Sequence, residues 1–254
     1  MILDLFKLDG KVALVTGAGQ GLGQGMSIAL AEAGADIASL DRTGCEGTCE
    51  AVRALGRRYH ESVVDLREAS VDDLKDVVGQ IVDELGRIDI LVNNAGTIRR
   101  TPAVDFSEAD WDDVLQINLK AAFFLSQAVA RVMLAQGCGK IINIASMLSF
   151  QGGVTVPSYT AAKSALAGIT RALANEWAQH KISVNAIAPG YMATDNTAAL
   201  RADPGRSKSI LERIPAGRWG TPDDLKGAVV FLASSASDYV NGAIIPVDGG
   251  WLAR

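Results

Sequence analysis

Histidine and cysteine are scarce in this 254-residue chain, with two of the first and three of the second. That scarcity excludes several kinds of protein. Cys45 and Cys49 could share a helix face, but a metal site needs more ligands and neither His60 nor His180 stands at a matching spacing, so no metal is expected. The N-terminus, Met1 to Gly10, lacks a basic segment, a long apolar run and a small-residue cleavage site. Together with an odd cysteine count, this gives the expectation of reduced thiols in a cytoplasmic protein without a leader. No uninterrupted apolar run reaches the ~20 residues that span a bilayer, so no membrane partner is expected. Basic residues are outnumbered, 24 Lys and Arg against 29 Asp and Glu, and none cluster into a stripe that would follow a phosphate backbone. A nucleic-acid partner is therefore not expected. Repeats, low-complexity tracts and linkers are also missing, so residues 1–254 read as one domain.

What is present is a regular alternation. Short apolar, β-branched runs fall at Val12–Thr16, Asp36–Leu40, Ser62–Asp65, Ile88–Asn93, Lys140–Ala145, Ile182–Ile187 and Ala243–Val247. Most lack polar alternation, which suits strands covered on both faces. Between them lie amphipathic stretches at Gly23–Ala33, Glu46–Leu55, Val71–Leu85, Glu108–Gln136, Ser158–Gln179 and Asp223–Ser234. The order predicts an α/β fold of the Rossmann type, doubly wound, with a seven-stranded parallel sheet and helices on both faces. Thr194–Gly220 breaks the rhythm with two short helical pieces among Pro204, Gly205, Pro215 and Gly217, and is a candidate substrate lid.

The first run leads into Thr16-Gly17-Ala18-Gly19-Gln20-Gly21-Leu22-Gly23, and a helix follows at once. Glycines there permit a tight turn and bring bare N–H groups to a pyrophosphate at a helix N-terminus. Asp41 ends the second run, eighteen residues after Gly23. A carboxylate so placed accepts hydrogen bonds from the adenosine ribose and repels a 2′-phosphate, which favours NAD over NADP. Gln20 brings no positive charge for that phosphate, whereas Arg42 beside Asp41 would accommodate it. Asp65, followed by Leu66, closes the third run and is placed to touch the adenine edge.

Tyr159 and Lys163 stand at i,i+4 near the start of a helix that Pro157 and Ser158 can open, so both face one side. Oxidising an alcohol needs a base for its proton while a hydride leaves, and reducing a ketone needs the same group as an acid. A tyrosine starts near pKa ~10, and one ammonium about 4 Å away at an effective dielectric of ~20 supplies about 4 kcal/mol toward the phenolate. Lys163 is thus expected to lower the Tyr159 pKa. Ser146, at the end of the fifth run, can hydrogen-bond the substrate oxygen without ionising.

The spacing of the glycine loop, Asn93-Asn94-Ala95-Gly96, Asn118, Ser146, Tyr159-x-x-x-Lys163, Pro189-Gly190 and Asp248-Gly249-Gly250 resembles the short-chain dehydrogenase/reductase family, over nearly the whole chain. The resemblance implies that Asn118 holds a water linking the lysine to solvent. It also implies that Asn93, Ala95 and Gly96 line the cofactor and support the sheet. Pro189, Gly190, Met192 and Thr194 match positions around the nicotinamide. A homotetramer is implied as well. Further blocks, Ile98-Arg99-Arg100, the run from Ile141 to Tyr159 and Ile214 to Gly220 among them, are similar to the sugar-acid dehydrogenases of bacteria. Gluconate or another polyol or carbonyl compound is the alternative substrate class, and a nucleotide-sensing protein without chemistry is the alternative outside enzymes. A keto-sugar acid needs a cation for its carboxylate, which Arg99 or Arg100 can clamp bidentately, with Arg100 preferred. Gln151 is a candidate partner for a hydroxyl.

Overall fold

All 254 residues are described by a computed structural model. Strand β1 (Val12–Thr16) is buried at every position, as its unbroken apolar run demands, and it lies in the interior of the sheet. Around it lie β2 (Asp36–Asp41), β3 (Tyr59–Val63), β4 (Ile90–Asn93), β5 (Gly139–Ile144), β6 (Ile182–Pro189) and β7 (Ile244–Val247). The order is β3-β2-β1-β4-β5-β6-β7, with every pairing parallel. The order reverses between β1 and β4, so the loops leaving their carboxyl ends diverge and open a crevice there.

Helices cover both faces. On one side α1 (Gly21–Glu32), α2 (Glu46–Ala54) and α9 (Asp223–Ala233) bury Met26, Leu30, Val52, Leu225 and Val229 against Val15, Ile37 and Val92. On the other, α3 (Val71–Leu85), α5 (Ala122–Gln136) and α6 (Pro157–Trp177) bury Val78, Ile81, Leu125, Val129 and Leu173 against Leu14, Leu91 and Ile141. Each such side chain contributes about 1.5–3 kcal/mol of transfer free energy. Local signals agree with these bounds. Ser70 and Asp73 form a reciprocal cap at the start of α3, and Gly86 ends it at φ 87°.

Three elements depart from expectation. The third strand is Tyr59–Val63, not Ser62–Asp65, because the Tyr59 hydroxyl reaches under the sheet to Ser39 Oγ at 2.7 Å and pins the register Ile37↔Tyr59. Its polar Tyr-His-Glu-Ser-Val sequence is that of an edge strand. The long helix expected at Glu108–Gln136 is interrupted: α4 (Glu108–Leu115) passes through a π-helical turn, Gln116–Ala121, before α5 begins. By length and hydropathy that span suffices to cross a bilayer, but Val114, Leu125, Val129 and Met133 on it face the core. The insert after β6 holds α7 (Ala198–Ala202) and α8 (Pro204–Leu211), closed at its base by a bridge between Met192 and Gly220. It rests on a separate small apolar cluster of Met147, Ile210, Ile214 and Trp251.

Candidate active site

The crevice at the β1/β4 switch is a cleft of about 600 Å³. At its floor Gly17 (φ 66°) and Gly21 (φ 58°) hold left-handed conformations. A Cβ on Gly17 would lie 2.9 Å from Asn94 Nδ2 and 3.0 Å from Ala95 Cα. Gly17, Gln20, Gly21 and Leu22 line the cleft. Gln20, the residue capping α1, makes no side-chain cap bond, which leaves the first N–H groups of the helix for an anion. Gly23 works from behind. It lies outside the lining, and a Cβ there would come within 1.9 Å of Gly17 O, so its role is to let α1 press onto the loop. A cradle with bare N–H groups, glycines no larger residue could replace and a carboxylate beyond them fits a dinucleotide.

Two residues to which the sequence reading gave no role hold this floor. Thr16 Oγ1 accepts from Asn94 N at 3.0 Å and Ala95 N at 2.9 Å, while Asn94 Nδ2 donates to Thr16 O at 2.9 Å and Gly17 O at 3.1 Å. The signal was the threonine directly before the first glycine. Ala95 and Gly96 line the cleft beside Asn94, whereas Asn93 does not. The Asn93 side chain turns into the core, with Nδ2 donating to Ser126 Oγ and Asn143 Oδ1, so only its expected support of the sheet survives. Strand alternation dictates this, since neighbouring side chains point to opposite faces.

Asp41 stands at the cleft's far end. Its carboxylate accepts from Gly19 N at 2.9 Å and Arg42 N at 2.7 Å, which fixes its orientation. Arg42 lies on the same wall, exposed and without a carboxylate partner. Asp65 and Leu66 complete that end. Asp65 Oδ1 caps the turn through Arg67 N at 2.9 Å, two residues beyond the strand rather than on it.

At the near end the loop after β5 and the first two turns of α6 bring Ser146, Tyr159 and Lys163 onto one wall. Lys163 is buried and donates to Ile144 O at 2.6 Å, with Nζ 5.6 Å from the centre of the Tyr159 ring. Burial pulls the Lys163 ammonium down to about 8. For Tyr159, burial pushes the phenol above its ordinary value, while Ser146 and then Arg100 pull it back. The expected depression by Lys163 is thus not what this geometry gives. Burial disfavours the Lys163 ammonium itself, so the charge it presents to the phenol is weaker than the i,i+4 spacing implies.

Asn118 occupies the π-helical turn, a distortion that often marks functional positions. Its Nδ2 donates to Thr97 O and Val114 O, both at 2.9 Å, and its buried Oδ1 has no protein partner. Such an orphaned acceptor suits a water. Asn118 itself lies behind the cleft lining, against Gly96, whose Cβ would sit 2.7 Å from that oxygen.

Over the reacting end, Pro189, Gly190, Met192 and Thr194 line the cleft, and so do Asp195, Asn196 and Thr197 of the insert. The two arginines separate. Arg99 is tied to Asp110 and Asp113, and Asp113 also holds Arg67 at 2.6 Å. Arg100 has no acidic partner and donates to Asn196 O at 3.1 Å. Gln151 lies off the main cleft and receives a long contact of 3.4 Å from Arg213.

A dinucleotide cradle leading to a Ser-Tyr-Lys wall defines the class of protein, and the family model described as enoyl-(acyl carrier protein) reductase matches residues 17–252. The chain belongs to the short-chain dehydrogenase/reductase family. Among curated relatives, the 2-dehydro-3-deoxy-D-gluconate 5-dehydrogenase of Escherichia coli is 62% identical, with all of both chains covered. A solved structure from Agrobacterium tumefaciens with bound NADP is 55% identical at a TM-score of 0.92, covering 99% of this chain and 100% of that one. The gluconate 5-dehydrogenase of Burkholderia cenocepacia, solved with NADP and tartrate, is 41% identical at a TM-score of 0.95, with both chains fully covered.

Proposed function

We propose that this oxidoreductase interconverts a hydroxyl and a ketone at carbon 5 of a 3-deoxy keto-sugar acid, as the name of its 62% identical relative describes. The observation that carries the reading is Arg100, a cation free of acidic partners within electrostatic reach of the Tyr159 phenol. A sugar acid offers it a carboxylate, and a neutral carbonyl compound does not. Bound nicotinamide supplies the hydride acceptor or donor. Ser146 Oγ holds the reacting oxygen, and Tyr159 takes its proton as the phenolate in oxidation or returns one as the phenol in reduction. Lys163, with a pKa near 8, exchanges protons close to neutral pH and passes them toward a water on Asn118 Oδ1. Gly17, Gly21, Asn94 and Ala95 hold the dinucleotide, and Asp41 takes the adenosine ribose.

NAD is the preferred nucleotide because the fixed Asp41 carboxylate repels a 2′-phosphate, and Arg42 admits NADP as the poorer substrate. The NADP in related structures supports that second capacity. A cytoplasmic setting is supported by three free cysteines, and a homotetramer by half-exposed Phe123 and Phe124 on α5 and by the open edge strand β7. Steady-state turnover of a keto-deoxy sugar-acid panel, with NADH and NADPH side by side, tests the reading. Turnover of neutral carbonyl compounds but of no sugar acid sinks it. Arg100→Ala should raise the sugar-acid KM by about tenfold or more, and an unchanged KM removes Arg100 as the clamp.

A further inference from the structure

The insert carries a further arginine, exposed and outside the cleft lining, that reaches the turn following Ser146 through Gln151. Arg213 follows α8, and its guanidinium lies 4.0 Å over the ring of Trp251. Trp251 is buried and wedged edge-on by Tyr191 at 4.8 Å, so the surface that supports the guanidinium is fixed. Asp248 holds this C-terminal turn by accepting from Gly250 N and Leu252 N, and Arg254 donates back to Glu212 O at 3.1 Å. Arg213 is therefore presented with its plane set, at little further cost in side-chain entropy.

Several of the charged groups around Arg213 have partners. Lys208 faces Glu212, Arg218 is bidentate to Asp224 and Arg201 caps Thr194 O. Arg213 has no carboxylate in reach, and its single polar contact is Gln151 Oε1 at a weak 3.4 Å. Gln151 in turn leaves its two Nε2 hydrogens without a protein acceptor. It is rooted in the turn that begins at Ser146, through Gln151 N to Met147 O at 3.2 Å. The pair thus bridges the Ser146 turn and the insert, and it offers several unused N–H donors on that side.

We propose that Arg213, with Gln151, is a specificity-determining pair that donates to the substrate oxygens beyond the reacting carbon. It makes the insert a reader of the sugar acid rather than a passive cover. The proposal rests on the sugar-acid reading above. It assigns a second cation to the site, apart from Arg100, on a different chain segment.

The test compares wild type with Arg213→Gln, Arg213→Lys and Gln151→Ala on 2-dehydro-3-deoxy-D-gluconate with NAD, alongside NADH binding by fluorescence. Arg213→Gln should lose about tenfold or more in sugar-acid kcat/KM, chiefly through KM, with the NADH Kd unmoved. Arg213→Lys should rescue less than half of that loss, because lysine keeps the charge but neither the fork nor the stack. The double change with Gln151→Ala should cost less than the sum of the single ones. A sugar-acid KM within about twofold of wild type in Arg213→Gln overturns the proposal. So does a parallel loss of NADH affinity, which would mark a structural role. Wild-type enzyme that turns over no sugar acid would sink the substrate reading itself, and this proposal with it.

Discussion

The two ends of the cleft are built on opposite principles. At the nucleotide end the ligand-facing surface is largely backbone, held by strand ends and by the Thr16 and Asn94 bonds, and its tolerances are set by glycines. At the substrate end the surface is side chains on a mostly exposed insert, anchored by one small cluster around Trp251. Backbone geometry recognises what all dinucleotides share, whereas side chains can be exchanged without refolding the sheet. On the function proposed above, the contrast puts chemistry common to many proteins on the rigid half and substrate choice on the adaptable half. Tyr159, on the half-buried start of α6, sits at the seam.

The seam gives the largest expected effect. Tyr159→Phe removes the proton donor and little else, so kcat should fall by about 10²–10⁴-fold while NADH binding persists. Loss of NADH affinity on the same scale would show that the seam belongs to the nucleotide half. Gly23→Ala is the next largest and breaks the rigid half alone. The added carbon would sit 1.9 Å from Gly17 O, and α1 cannot withdraw without losing its packing on α9. Thermal unfolding should show about 1–3 kcal/mol or more of lost stability. The NADH Kd should rise by about a hundredfold or more, since each 1.4 kcal/mol is a factor of ten. A variant with normal Tm and normal NADH affinity would refute the close-packing role of this glycine.

The same contrast explains how much of the molecule was legible in its sequence. The parallel sheet was readable because its central strands are unbroken apolar runs, and the glycine loop because positive φ leaves few alternatives to glycine. The polar edge strand Tyr59–Val63 was placed too late because its register depends on a buried hydroxyl pair, Tyr59 and Ser39, that lies 20 residues apart in sequence. Asn93 was placed at the cofactor and Asn94 was left without a role because one residue's step along a strand flips the face, and the sequence does not say which face is the cleft. The fate of the Lys163 charge was hidden too, since burial, not spacing, sets it. The preference for Arg100 over Arg99 had no visible cause in the sequence; the cause is that Asp110 and Asp113 engage Arg99.

Lys163 provides a smaller effect, measured as a pH dependence. Its folded pKa, about 8, lies below the ordinary 10.5, so the unfolded chain binds the extra proton between these values. Stability from this group therefore rises with pH across that window, by about 3 kcal/mol in all, at 1.36 kcal/mol per unit. Cys45, Tyr59 and Tyr159 have raised values and act in the opposite direction above about pH 9, so the difference between wild type and Lys163→Met isolates the lysine. Denaturant unfolding at pH 7.5 and near pH 10 should show the Met variant gaining less with pH than wild type. Equal pH dependence in both would mean that Lys163 is solvated, and that its short bond to Ile144 O does not hold it in the core.

The smallest effect belongs to the substrate half. Asp224 accepts from Arg218 through both oxygens, at 2.6 and 2.7 Å, and from Thr221 N at 2.7 Å, where the insert rejoins α9. Arg218 holds the Asp224 carboxyl well below the usual carboxylate range, but both partners face solvent, which screens the pair. Asp224→Ala should therefore lower Tm by only ~2 °C. The wild-type advantage should be present above about pH 4, where an unfolded aspartate is ionised, and should be lost as pH falls through the lower folded value. Because Gly220 bridges Met192 beside this pair, the sugar-acid KM should rise by ~2-fold while NADH binding stays unchanged. A larger loss in NADH affinity than in sugar-acid KM would show that the insert is mechanically part of the nucleotide half, and the division between the two ends would fail.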